Sequence, residues 1–234
     1  MDRIMPLDLN AFDDLPTHSH NCVFWETERS VSDGDKNCYD AFEKEAWISS
    51  VLLQWGVCGQ ILIRDGRAVG TCLYGPPNDI PRDKLIPAGP ASADAILLSH
   101  VYIEDESRSM MSYVSLINAV IQDLKSRGVR AIEAYGRQGD VGAYAEDADP
   151  HHWAHHKCIP TQDVLSACGF KEIIRDPRVS RWRIDIDRHN LWAVSVKAAL
   201  DRRYEDKKIE LLTYQRKVQA TRCRSSQPPE APQK

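Results

Sequence analysis

"DAILLSHVYIEDESRSMMSYVSLINAVIQDLKSRGVRAIEAYG", residues 94–136, is the stretch on which the fold turns. It opens with an apolar run over 94–104, the pattern of a central strand covered on both faces. Val114, Ile117, Val120 or Ile121 and Leu124 then recur at spacings of three and four, which predicts an amphipathic helix, and Gly128 after Arg127 supplies the glycine that ends it. "VRAIEAYG" follows at once as a second strand. Strand, helix and strand within about forty residues make a βαβ unit, and its two strands should run parallel. Between the first strand and the helix lies "RSMMSY", residues 108–113. A strand that runs into a helix N-terminus presents free backbone N–H groups, a common seat for phosphate, yet here methionines stand where glycine would let a ligand approach.

Outward from this unit the chain reads as alternating short elements. Upstream, "RIMPLDL" suits a short first strand, and "NCVFWE" is a compact apolar patch within a polar stretch that reaches about Asn37. Asp40 and Glu43 resemble a capping box ahead of Phe42, Trp47, Val51 and Trp55, which predicts a helix up to Gly56 with those residues on its inner face. "GQILIRDGRAVGTCLYGPP" reads as two strands about an Asp-Gly turn. The proline-rich stretch 75–90 is expected to be a surface loop. Downstream, 137–157 reads as an irregular excursion, and "IPTQDVLSACGF" as a helix opened near Pro160 and stopped by Gly169. "FKEIIRD" and "SRWRIDID" form a closing pair of strands. A long charged helix from Asn190 with a solvated outer face, and a disordered tail over 219–234, complete the expected order.

Composition bounds the function. With 234 residues, 42% hydrophobic and 27% charged, the chain suits one globular domain with an appendage. A net charge of -4 and an isoelectric point near 6.1 supply no field that would draw it to nucleic acid or an anionic membrane. The N-terminus lacks the build of a signal peptide, and no apolar run approaches the roughly 20 residues needed to span a bilayer, so a cytoplasmic location is expected. Seven cysteines at wide spacings, with no Cys-x-x-Cys pair, read as reduced thiols packed in the core.

The order of hairpin, long strand, turn, helix, strand, helix ending in "GF" and strand pair resembles the GNAT-type N-acetyltransferase superfamily. The stretches "CVFWE", "EKEAWISSVLLQWGVCGQILI", "YGPP", "DAILLSHVYI", "RGVRAIEAYG" and "LSACGF" look like an actinobacterial subgroup of it, over nearly the whole chain to about residue 205. The resemblance implies an α/β (α+β) fold: a mixed, mostly antiparallel sheet with a central parallel βαβ unit and a V-shaped cleft where two strands splay. It implies a GNAT-like acyltransferase domain over 1–188, with a C-terminal helical extension over 189–218. It also implies acetyl-CoA as co-substrate, no metal, and a small-molecule or protein amine as acceptor, with a homodimer as an open option.

In that superfamily the long strand offers backbone groups to the pantetheine arm, and a loop patterned Arg/Gln-x-x-Gly-x-Gly/Ala wraps the pyrophosphate. The matching positions here are Val101, Tyr102 and Ile103 for the arm, and Arg108, Ser109, Met110, Met111, Ser112 and Tyr113 for the loop. Arg108 fits the first loop position, while Met111 and Tyr113 replace the glycine and the glycine-or-alanine. Methionine gives neither close backbone approach nor costless positive φ, so the loop is degenerate. Because the donors are backbone groups, two readings stand: a weakened but working cofactor site, or a turn given over to packing.

Acetyl transfer to an amine needs a neutral amine, a polarised carbonyl and a proton for the departing thiolate. Glu133 and Glu104 are the glutamates placed to serve the amine, against the plainer reading of polar residues at strand ends. For the proton, the superfamily often uses a tyrosine four residues before the "GF" glycine; that position is Leu165 here. Cys158, Tyr144 or a histidine are the substitutes, and His100 reads more simply as a satisfied core residue. In "HHWAHH", His151 with His155 and His152 with His156 have zinc-compatible i, i+4 spacing, but without a further ligand type the segment reads as a polar loop with incidental metal affinity.

Overall fold

The computed structural model describes residues 2–28, 40–138 and 157–186. The expected C-terminal helix and tail, Tyr144 and the four clustered histidines fall outside these residues. All described residues belong to one unit, Met1–Leu191.

Seven strands form one sheet in the order β1-β2-β3-β4-β5-β7-β6. They are β1 (Arg3–Pro6), β2 (Gly59–Arg64), β3 (Arg67–Gly75), β4 (Ala95–Ile103), β5 (Ala131–Arg137), β6 (Lys171–Ile174) and β7 (Val179–Asp185). Every neighbouring pair is antiparallel except β4 and β5, which run parallel as the βαβ reading requires. β4 is buried along almost its whole length, in keeping with a strand covered on both faces. The β2–β3 turn places Asp65 at φ 51° and Gly66 at φ 83°, the two left-handed positions that an Asp-Gly hairpin turn demands.

Four helices accompany the sheet: α1 (Thr17–Asn21), α2 (Ala41–Gln54), α3 (Met110–Ser126) and α4 (Gln162–Ala167). α3 is the crossover. Val114, Leu116, Ile117, Val120, Ile121 and Leu124 are its buried apolar residues. Ser109 caps its start, its Oγ accepting from Ser112 N at 3.1 Å. At its end Gly128, at φ 76°, donates to Lys125 O and Val129 donates to Leu124 O, each at 3.0 Å, the paired bonds of a Schellman cap.

Three expectations are corrected. In α2 the cap is as read, with Asp40 Oδ1 accepting from Glu43 N at 3.0 Å, but Phe42 is 79% exposed and the fully buried side chain beside it is Lys44. Periodicity could not foresee this, because Lys44 is drawn inward by Glu26, whose carboxylate it meets at 2.6 Å. The stretch 75–90 is no surface excursion: Ile80, Arg82, Asp83 and Ile86 are buried in it. Arg82 donates to the Phe24 carbonyl and lies over the Phe24 ring, while Asp83 accepts from Tyr135 Oη at 2.6 Å and from Ala91 N at 3.0 Å. The apolar patch before residue 26 is preceded by the short helix α1, and Cys22, Val23, Phe24 and Trp25 are core residues.

Candidate functional site

The parallel ladder between β4 and β5 is short. It pairs Ala95 with Ala131 and ends where Leu98 pairs with Ala134, although both strands continue. β4 slips register against β3 where Leu73 pairs with His100 and Tyr74 with Leu98, so Ser99 is the extra residue of a bulge. Beyond it the two strands open into the V that the resemblance implied, and each leaves an edge of backbone groups that must find partners.

Those partners come from the chain itself. Val101 N donates to Cys158 O at 2.9 Å, and Arg137 N donates to Pro160 O at 3.0 Å. Arg137 also bridges Thr161 in parallel register, and its Nε donates to Ile159 O at 3.1 Å. Cys158 and Ile159 are 0% and 1% exposed, so this segment fills the apex of the V rather than lying across its mouth. Of the three residues assigned to the cofactor arm, Val101 and Ile103 are fully buried, and the Val101 amide, the one facing the opening, is already hydrogen-bonded.

At the α3 N-terminus Ser112 faces inward while the capping Ser109 is exposed. Ser112 is 3% exposed; its Oγ donates to Ser107 O at 3.1 Å and lies 2.8 Å from Ser109 Oγ. Arg64, held by Asp2 at 2.6 Å, donates to Ser107 O and Ser112 Oγ, both at 3.2 Å, and was not foreseen from sequence because it arrives from the β2–β3 hairpin. Arg108 pairs with Asp105 at 2.5 Å and reaches Ile103 O at 3.4 Å. Met110 is half-exposed, and Met111 and Tyr113 are partly buried; burial raises the Tyr113 hydroxyl above its ordinary pKa.

The two candidate glutamates are not brought together. Glu133 pairs in register with Leu97, inside the ladder, whereas Glu104 follows the end of β4, seven residues on and so about 20 Å along the strand. Glu133 is wholly buried and its oxygens are occupied: Oε1 accepts from Arg183 at 3.0 Å, Oε2 accepts from Ser92 N at 3.0 Å, and Arg181 stands 3.6 Å away. Glu104 is ion-paired with Arg67 at 2.7 Å. Leu165, at the position of the usual tyrosine, is fully buried and apolar.

Cys158 sits in a polar cluster that sequence reasoning did not assemble. Its Sγ lies 3.9 Å from Cys22 Sγ. Beside the pair are His18, Ser19 and His100, with His100 Nε2 hydrogen-bonded to Ser19 Oγ at 3.0 Å and the His18 and Tyr102 rings in contact at 4.6 Å. Burial pushes the Cys158 thiol up, while hydrogen bonds, that with Cys158 first and then those with His100 and His18, bring Cys22 down. Burial also holds His100 neutral, pushed down to about 4. The one legible sign was the His18–Cys22 spacing of four, which sets two side chains on one helical face.

No family model and no curated protein matches the sequence. Among solved structures, an N-acetyltransferase from Staphylococcus aureus Mu50 is 12% identical, aligned over 80% of this chain and 99% of that one, with a TM-score of 0.51. A putative acetyltransferase from Acinetobacter baylyi ADP1 is 14% identical over 80% of this chain and 94% of that one, with a TM-score of 0.50. A putative acetyltransferase from Salmonella typhimurium, solved with its cofactor acetyl-CoA, is 12% identical over 80% of this chain and 95% of that one, at 0.49. At these identities the likeness is one of fold. The chain has the mixed, mostly antiparallel architecture of the GNAT acetyltransferases, with one parallel pair at its centre. Among the described residues no helix is long and apolar enough to cross a membrane.

Proposed function

We propose that the protein is an acetyl-CoA-dependent N-acetyltransferase, of the actinobacterial branch its sequence resembles, that moves an acetyl group to the amine of a small molecule or protein. The observation that carries this reading is the splay of β4 and β5 beyond Leu98 and Ala134, beside the N-terminus of α3. A strand edge with backbone donors next to a helix start suits a pantetheine arm and its pyrophosphate. The Val101 amide, the first donor past the bulge on the open side, is placed to polarise the thioester carbonyl once the Cys158 carbonyl leaves it. Withdrawing the segment gives up two backbone hydrogen bonds and uncovers Ile159. At about 1 kcal/mol net for each bond and 1.5 kcal/mol or more for the side chain, the cofactor's affinity falls by roughly a hundredfold or more. Together with the loss of glycine in the 108–113 turn, this sets the expected dissociation constant near a millimolar.

A second reading is favoured by the same bond. With the Val101 amide taken by Cys158 and Glu133 locked by Arg183 and Ser92, the chain is a catalytically inactive GNAT-fold binding or interaction protein. Titration of acetyl-CoA followed by calorimetry and thermal unfolding separates the two. The first reading predicts saturable binding in the millimolar range, and about 1 kcal/mol of stabilisation at a few times the dissociation constant. No binding at such concentrations sinks it and leaves the second.

A further inference from the structure

The cluster behind the cleft has the geometry of a coordination site. Cys22, His18 and Cys158 each offer one ligand atom, and these three atoms lie within 4.8 Å of one another. A tetrahedral zinc with Zn–S near 2.3 Å and Zn–N near 2.0 Å sets two sulfurs about 3.8 Å apart and a sulfur and a nitrogen about 3.6 Å apart. The observed sulfur separation, 3.9 Å, already matches the first edge and is far from the roughly 2.05 Å of a disulfide. A second observation points the same way. His100 is fully buried, its Nε2 is fixed by Ser19 Oγ, and its Nδ1 is left for Cys22 beside it. A ligating histidine is commonly oriented by a hydrogen bond from its other ring nitrogen, the role that Ser19 fills here.

We infer that Cys22, Cys158 and His18, with His100 closing the fourth position, form a binding site for a tetrahedral soft divalent metal, zinc by its chemistry. Two sulfurs and two imidazoles suit zinc over the oxygen-seeking magnesium and calcium. On binding, each thiol gives its proton to solvent and forms a sulfur–metal bond; the imidazoles bind as neutral ligands and no electron is transferred. The ligands come from α1 and the residue that caps its end, from β4, and from the segment that fills the V. The metal would therefore fasten Cys158 to the N-terminal region and hold its carbonyl on the Val101 amide, whether or not the chain transfers acetyl groups. This site is separate from His151, His152, His155 and His156.

The test uses the full chain, produced without a histidine tag, incubated with zinc or cobalt(II) and dialysed. One metal ion per chain is expected, with a thiolate-to-cobalt charge-transfer band and the intense visible bands of tetrahedral cobalt. Both are lost in Cys22→Ser and in Cys158→Ser, and both survive replacement of His151, His152, His155 and His156 by alanine. Should the serine variants fail to fold, the wild-type cobalt spectrum decides alone, since weak octahedral bands without thiolate charge transfer overturn the site. Metal that disappears with the four-alanine variant, no retained metal, or a Cys22–Cys158 disulfide found by non-reducing mass spectrometry also overturns it.

Discussion

Lys44 and Glu26 meet at 2.6 Å with side chains that are 0% and 2% exposed, so each is in the interior only because of the other. Truncating one strands the other's charge. Lys44→Met is expected to cost about 3–5 kcal/mol in urea unfolding, and adding Glu26→Leu to recover most of it, because an apolar pair escapes the desolvation penalty. Glu133 repeats this logic inside the β4–β5 ladder, between Arg183 and Arg181. Glu133→Gln is expected to lower stability by about 2–4 kcal/mol; an unchanged denaturation midpoint would show that its bonds to Arg183 and Ser92 carry no structure. Neither pairing was legible in the sequence. Charge at position 44 or 133 looks like surface until the partner, 18 residues away for Lys44 and 50 for the closest arginine contact of Glu133, is known to be adjacent.

α3 is the element best determined by local sequence, since its period, its serine cap and its glycine stop all agree. Ser109→Ala should cost about 1 kcal/mol by removing the acceptor for Ser112 N, and Gly128→Ala about 1–2 kcal/mol by forcing a side chain into positive φ. Either loss is measured by chemical denaturation. α2 behaves otherwise. Its ends follow the sequence, but its inward face is rotated toward Ile48 and Lys44, leaving Phe42 in water. Phe42→Ser is therefore expected to change stability by no more than about 0.5 kcal/mol, whereas Ile48→Ala should cost about 2–5 kcal/mol. The difference arises because Phe42 matches the helical period as well as Val51, Trp47 and Trp55, which do pack on the core, and only the sheet beneath decides where the buried stripe ends.

For the whole molecule, the order of elements could be read because a buried parallel strand, a crossover helix and an Asp-Gly hairpin each leave a local signature. The parallel β4–β5 pair, the hairpin and the closing strands stand where that order put them. What fills the V could not be read. The segment holding Cys158 lies about twenty residues beyond β5 in sequence, and no periodicity announces that it turns back to satisfy two strand edges at once. The cleft expected to receive a cofactor is thus occupied by the protein's own backbone. Native-state amide hydrogen exchange, resolved by NMR at Val101 and Arg137, reads this occupancy at the two amides concerned. If the Cys158 and Pro160 carbonyls hold these amides, both should exchange as slowly as their ladder neighbours Leu98 and Ala134. Rapid exchange at Val101 and Arg137, with Leu98 and Ala134 still protected, would show instead an open cleft with no backbone seated in it.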